Sequence, residues 1–151
     1  MTKKIEDKEM EKRSNNFIIH GSAEIGENDE EIQENDEQYI IDILNKIGVR
    51  RKFESVLRLG RPNEKRQRTI KVSMKTPKDK DDVLANLTKL KGTEEEFGRI
   101  SITSDYTKTE RDQIRAMSEK AKAQTATSKD HVYKVRGDPK NGLKIVSFPK
   151  R

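Results

Sequence analysis

The chain has 151 residues, enough for one ordinary domain or for a small domain with an appendage. Only 30% of the residues are apolar and 40% are charged, so the hydrophobic core must be small. The absence of cysteine excludes disulfides, cysteine-ligated zinc and thiol nucleophiles. No apolar run approaches the length of about 18 residues that a membrane span needs, and no apolar signal segment follows Met1. We therefore expect a soluble intracellular protein.

The net charge of +6 is distributed unevenly along the chain. Residues 17–49 contain nine acidic residues and one lysine, whereas residues 50–80 contain twelve basic residues and three acidic ones. Residues 107–151 are again basic, with twelve basic residues and five acidic ones. Because segregated positive charge produces a local field, this distribution predicts a polyanionic partner.

The N-terminal part of the sequence predicts a charged segment, a strand and a helix. Residues 1–14 are typical of a frayed helix or tail, or of the end of an upstream coiled coil. Residues 17–19 form a short apolar run that predicts the first strand. The acidic stretch 23–37 predicts a long loop or a loose first helical turn. From Asp36 to a C-cap at Gly48 the spacing of apolar residues predicts a helix. These residues are Tyr39, Ile40, Ile43, Leu44 and Ile47.

Three further strands and a second helix follow. Residues 53–60 predict a strand, and the next segment, GRPNEKRQ, has the composition of a loop. The strict alternation of RTIKVSM at 68–74 predicts a half-buried strand. Residues 78–90 carry valine and leucine at helical spacing, and Ile100 and Ile102 begin the fourth strand. The order β-α-β-β-α-β predicts an α+β fold of the ferredoxin-like class, in which four antiparallel strands pack against two helices. RNA-recognition modules use this fold.

The fourth strand leads directly into a basic helix. Thr107, with Glu110 three residues later, matches a capping box, and the helix is predicted to reach about Ala123. The segments HVYKVRG and LKIVSF then predict two strands joined by a turn. The chain therefore divides into a charged N-terminal segment at 1–14, an RNA-recognition-like domain at 15–105 and a basic helix-plus-hairpin unit at 106–151.

Catalytic and metal-binding motifs are absent from the sequence. The two histidines, His20 and His131, stand in no HExxH or other catalytic motif. The run GENDEEIQENDEQ lacks the alternating ligands and the central glycine of a calcium-binding loop. No P-loop and no GxGxxG occurs. We therefore predict a protein that is not an enzyme and that uses no cofactor or metal ion.

The remaining candidate site is basic and suits phosphate groups, while guanidinium planes can also stack on bases. In the first domain its members are Arg50, Arg51, Arg58, Arg61, Lys65, Arg66, Arg68 and Lys71. In the C-terminal unit they are Arg111, Arg115, Lys134, Arg136 and Lys144. The alternative is that a chain with 33 lysines and arginines forms such clusters without any nucleic-acid partner.

The predicted open face of the sheet lacks the stacking aromatics of an ordinary RNA-recognition motif. Ile18, His20, Thr69, Lys71 and Ser73 are predicted to lie there instead. Phosphate contacts must then carry any binding, so we expect it to be salt-sensitive and tolerant of sequence. We also expect the nucleic acid to lie near the junction of the two parts of the chain.

Several segments in the right order resemble the first-open-reading-frame proteins of LINE-type retrotransposons, which are gag-like RNA-binding proteins. These segments are NNFIIHGSAE, VLRLGRP, RTIKVSMKT, KDDVLANLTKLKG, ISITSDYTKTERDQIR and the hairpin HVYKVRG with LKIVSF. The resemblance extends over about residues 14–148. It departs from the family in two respects, because the upstream coiled coil is nearly absent and the C-terminal part is shorter than in vertebrate members.

The resemblance implies a non-enzymatic protein that binds single-stranded RNA, forms ribonucleoprotein particles and acts as a nucleic-acid chaperone. Single-stranded DNA is a second expected ligand, and self-association would use an upstream coiled coil. It also implies that arginines hold the RNA between the two domains. Arg68 corresponds to the family's basic residue that opens the third strand, and Arg115 corresponds to the arginine in its linking helix. The expected location is a cytoplasmic ribonucleoprotein particle or the nucleus. The alternative is a ferredoxin-like interaction module whose basic patch binds an acidic protein.

Overall fold

The computed structural model of the chain describes residues 2–62 and 65–151, with side chains from residue 5 onward. The chain forms two compact units. The sheet unit is Asp7–Asp105, and the hairpin unit is Tyr106–Arg151 together with the N-terminal residues through Glu6. The charged N-terminal segment, for which we predicted a frayed helix or tail or a coiled-coil end, is a helix, α1, at Thr2–Arg13.

The sheet unit contains four antiparallel strands. In chain order they are β1 at Asn16–His20, β2 at Phe53–Arg58, β3 at Ile70–Met74 and β4 at Ser101–Ser104. Their order across the sheet is β2-β3-β1-β4. The predicted α+β class and four-stranded sheet are confirmed. Of the predicted GRPNEKRQ loop, residues 63 and 64 lie outside the described part.

Helices cover one face of this sheet and form the core with it. They are α2 at Asp29–Ile47, α3 at Pro77–Ala85, a 3-10 turn at Leu87–Leu90 and α4 at Glu94–Phe97. The core consists of alternate strand residues and one stripe of α2, as the two periodicities require. Its fully buried members include Phe17, Ile19, Ile40, Ile43, Ile47, Ile70, Val72, Met74 and Val83. No helix in the described ranges is long and apolar enough to cross a bilayer.

Helix α2 begins at Asp29, seven residues before the predicted start at Asp36. Asn28 caps it, because its side chain accepts a 2.9 Å hydrogen bond from the Glu31 backbone amide. Three acidic residues in the first turn also interact favourably with the helix dipole. Of the two alternatives predicted for residues 23–37, the long loop is wrong from Asp29 onward, since capping and charge extend the helix where apolar periodicity is missing.

The second predicted helix is interrupted at Asn86. The Asn86 side-chain amide donates a 2.7 Å hydrogen bond to the Asp82 backbone carbonyl. This bond offers the backbone an alternative to a continued helix. The short helix α4 was not predicted. It places Phe97 in the core, and Tyr39 packs edge-on against the Phe97 ring with the centroids 6.0 Å apart.

Tyr39 should ionise only in strong alkali. Burial raises the pKa of its phenol from 10.0 to about 12, while its hydroxyl donates a 2.6 Å hydrogen bond to the Phe97 carbonyl. Because the folded pKa exceeds the unfolded one, this stabilisation is complete below about pH 10 and is lost as the pH rises through the folded pKa. Subtracting the tyrosinate absorbance titration of Tyr39→Phe from that of the parent should isolate this transition. A difference centred near pH 10 would contradict the expectation.

In the hairpin unit, helix α5 at Lys108–Thr127 contacts both strands of a hairpin, chiefly the first. The strands are β5 at His131–Asp138 and β6 at Gly142–Pro149. The capping box of Thr107 and Glu110 is confirmed, with both reciprocal hydrogen bonds present at 3.0 and 3.1 Å. The helix continues past the predicted end at Ala123. The Thr125 hydroxyl donates a 2.9 Å hydrogen bond back to the Ala121 carbonyl, so this hydroxyl is satisfied within the helix.

Gly137 makes the hairpin turn possible. Its φ is +85°, in the region that side chains rarely adopt, and a Cβ there would collide with the Gly142 carbonyl oxygen. Glycine at this position therefore lets the two strands approach closely where Gly137 pairs with Leu143, next to the turn.

Candidate nucleic-acid interface

Arg58 is a buried structural residue. All five of its N–H groups donate hydrogen bonds, two of them to the Asp36 carboxylate at 2.9 and 2.7 Å. The other three go to the carbonyls of Ser22, Ala23 and Arg68 at 2.9, 2.8 and 2.6 Å. The side chain is only 4% exposed. The structure therefore gives no support to the prediction that Arg58 contacts RNA, because every donor of its guanidinium is already in use within the sheet unit.

Arg68 is also engaged by an acidic residue. Its Nε and Nη2 donate to one oxygen of Glu24 at 2.8 and 2.6 Å, and its backbone amide donates to the other at 3.2 Å. Both side chains are 14% exposed. Burial alone raises the pKa of the Glu24 carboxyl, but the hydrogen bonds from Arg68 outweigh it, and the pKa is lowered from 4.5. In this structure the guanidinium that we predicted to contact RNA is occupied by a carboxylate.

The exposed cations that we predicted as RNA contacts in the sheet unit do not converge. Arg50 and Arg51 precede β2, and Arg51 lies 3.4 Å from a carboxylate oxygen of Asp79. The other predicted contacts that are exposed follow β2, and they are Arg61, Lys65 and Arg66. Because a six-residue strand spans about 20 Å, these two groups lie at opposite ends of β2.

The sheet face opposite the core is largely uncharged. Ile18 on β1 pairs with Lys71 on one side and Thr103 on the other, and Leu57 faces Lys71 from β2. Lys71 is half-buried, and Leu57 is 41% exposed. All four strands are described completely, and none of them presents a phenylalanine, tyrosine or tryptophan on this face. The predicted lack of stacking aromatics on the sheet is therefore a property of the structure.

The predicted cations of the hairpin unit are all exposed. On α5, Arg111 donates a 2.9 Å hydrogen bond to the Tyr106 carbonyl, and Arg115 lies 3.5 Å from a carboxylate oxygen of Asp112. The Arg115 side chain is 69% exposed, so this ion pair is weak and leaves the guanidinium accessible.

Lys134, Arg136 and Lys144 lie together on one face of the hairpin. The register pairs Arg136 directly with Lys144, and Lys134 lies two residues before Arg136 on the same face. Among the described residues, none of the three forms a salt bridge. The one acidic residue among the strand residues of this face is Asp138, whose carboxylate accepts hydrogen bonds from Asn141 within the turn.

An exposed aromatic residue shares this face and was missed by the sequence analysis. Phe148 pairs with Val132 and is 39% exposed. The guanidinium carbon of Arg136 lies 5.3 Å from the centroid of the Phe148 ring, within the range of a cation–π contact. The period-two alternation from Lys144 through Val146 to Phe148 was the signal that could have located it.

A depression of about 500 Å³ adjoins this aromatic residue. Its lining comprises Val132, Lys134, Phe148, Pro149, Lys150 and Arg151. The Lys150 ammonium group donates a 2.6 Å hydrogen bond to the Ser128 carbonyl near the C-terminus of α5. This bond holds the lysine side chain in one wall of the depression. In the described ranges, no group of three or more potential ligand side chains is placed to hold a metal ion.

Comparison of the sequence with protein-family models and with curated proteins finds no match.

Proposed function

We propose that the protein binds single-stranded nucleic acid, principally RNA, with little sequence preference and mainly through phosphate contacts. The observation that carries this proposal is the row of exposed cations on the hairpin face, Lys134, Arg136 and Lys144. The resemblance to LINE-type first-open-reading-frame proteins adds ribonucleoprotein formation and a nucleic-acid chaperone role to this proposal.

The energetics of the hairpin support an anionic ligand. Like charges directly opposite one another in a sheet are destabilising, and Arg136 faces Lys144 in this way. A phosphate placed between the two cations relieves that repulsion and gains charge-assisted hydrogen bonds. Stability alone would favour an acidic residue at one of these positions, so the arrangement fits a binding role.

The family assignment is part of the same proposal. The order β2-β3-β1-β4, with helices in the first and last strand connections, supports a ferredoxin-like topology for the sheet unit. Together with the motifs quoted above, it supports a relation to the LINE-type first-open-reading-frame proteins. Self-association and a ribonucleoprotein location in the cytoplasm or nucleus follow from that relation.

Fluorescence anisotropy with a labelled single-stranded RNA tests the function. The variant Lys134→Gln/Arg136→Gln/Lys144→Gln should bind RNA about tenfold more weakly, and its log–log salt slope should fall by about 2, since each single-strand phosphate contact contributes about 0.7. The matched control is Lys120→Gln/Lys122→Gln/Lys129→Gln, which removes three exposed cations from the same unit. The control should lose much less affinity.

Two outcomes would contradict the proposal. Equal losses in the two triple variants would mean that only bulk charge matters. Binding to an acidic peptide of equal charge, as tight as binding to RNA, would instead favour the protein-interaction module.

A further inference from the structure

We propose that the exposed face of the β5–β6 hairpin contains a nucleobase-stacking site formed by Phe148 and Arg136. This inference rests on the proposed function and specifies how the ligand is held. Phosphates would contact Lys134 and Lys144, while one base stacks on the aromatic–guanidinium pair. The site therefore distinguishes a single strand, whose bases are accessible, from a polyanion without bases.

The geometry places both halves of such a site on one face of the hairpin. Phe148 shares this face with Lys134, Arg136 and Lys144, because all four occupy matching positions in the register. Phe148 is 39% exposed even though an apolar partner, Val132, lies directly opposite. The adjoining depression of about 500 Å³ provides space beside the ring for a planar ligand.

The chemistry of the pair suits a base. An aromatic ring and a guanidinium plane are the two protein surfaces on which bases stack, and the interaction tolerates any base because each has a π-face. The cation–π contact at 5.3 Å holds the guanidinium near the ring before a ligand arrives. Less ordering is then required on binding, which favours affinity.

The surrounding charges favour a nucleic acid over an apolar or acidic peptide. An apolar peptide would leave the cations of this face without counter-charge. An acidic peptide would satisfy the cations but would gain nothing from an exposed ring. A single-stranded nucleic acid supplies a phosphate and a base in each repeating unit, so it matches both kinds of side chain on the face.

The test compares two labelled ligands by anisotropy, an oligouridylate and an abasic oligonucleotide with the same number of phosphates. The parent protein should bind the oligouridylate at least about fivefold more tightly, because stacking of a single base contributes that much. Phe148→Leu keeps an apolar contact for Val132 but removes the π-face, so it should abolish this preference. Arg136→Lys keeps the charge but removes the plane, so it should reduce the preference. Phe148→Tyr keeps an aromatic ring, so this variant should retain the preference for the oligouridylate.

The outcomes separate this inference from the function on which it rests. If the parent binds both ligands equally and the hairpin charge variants still weaken binding, the stacking site is wrong and the electrostatic function stands. An unchanged preference in Phe148→Leu likewise overturns the stacking site. If neither ligand binds, the proposed function itself fails. Circular dichroism of each variant establishes that the hairpin unit is folded.

Discussion

Arg58→Ala should lower the free energy of unfolding by about 3–5 kcal/mol, because it leaves a buried carboxylate without its cation. Asp36 and Arg58 are each only 4% exposed, so water cannot replace the lost partner. Three backbone carbonyls, on Ser22, Ala23 and Arg68, also lose a donor. Denaturant unfolding followed by circular dichroism measures the loss.

Two variants separate the ion pair from general damage. The double variant Arg58→Met/Asp36→Leu removes both charges and fills the space, so it should lose much less stability than Arg58→Ala. Arg61→Ala removes an exposed arginine from the following loop and should change the free energy of unfolding by at most about 0.5 kcal/mol. A loss below about 1 kcal/mol for Arg58→Ala would mean that the guanidinium is not held as described.

Periodicity predicted most elements of the fold because burial follows it. The alternation in RTIKVSM corresponds to a strand in which Ile70, Val72 and Met74 are fully buried. The helical spacing between Tyr39 and Ile47 corresponds to the buried stripe of α2. Element ends were less predictable where side-chain hydrogen bonds decide them. Asn28 starts α2 early, and Thr125 extends α5, although neither residue continues an apolar pattern.

The candidate site was predictable where the pattern is local. Alternation along β5 and β6 correctly placed the cations of the hairpin on an outward face, because side chains of a strand alternate whatever the tertiary contacts are. The pairing of Arg136 with Lys144 depends on the hairpin register, and the position of Phe148 beside Arg136 follows from the same register.

The acidic partners of the sheet-unit arginines were not predictable from local sequence. Arg58 binds an acid 22 positions away, and Arg68 binds one 44 positions away. A basic cluster counted along the chain includes such residues, although their charge is neutralised by the acidic segment 17–49. The basic segment 50–80 therefore offers a ligand fewer accessible cations than its count of basic residues suggests.

Arg68→Ala should cost about 1.5–3 kcal/mol of unfolding free energy and should leave RNA affinity nearly unchanged. The stability loss follows because Glu24, 14% exposed, would keep a carboxylate without its main donors. RNA affinity should persist because this guanidinium is occupied within the sheet unit. Denaturant unfolding and RNA anisotropy, measured on the same sample, give the two numbers.

The Glu24–Arg68 pair should also make the free energy of unfolding depend on pH. Burial raises the pKa of Glu24, but the hydrogen bonds from Arg68 outweigh this effect, so the folded pKa lies below 4.5. A lowered folded pKa contributes stability that is present above the unfolded pKa and is lost as the pH falls through the folded one. The stability difference between the parent and Glu24→Gln should therefore be largest above about pH 4.5 and shrink in acid, whereas Arg68→Ala should remove most of that pH dependence.

The RNA affinity of Arg68→Ala tests whether this arginine stays bound to Glu24. If the folded variant bound RNA as weakly as the triple hairpin variant does, Arg68 would have to leave Glu24 when RNA binds, and the sheet unit would also contact the RNA.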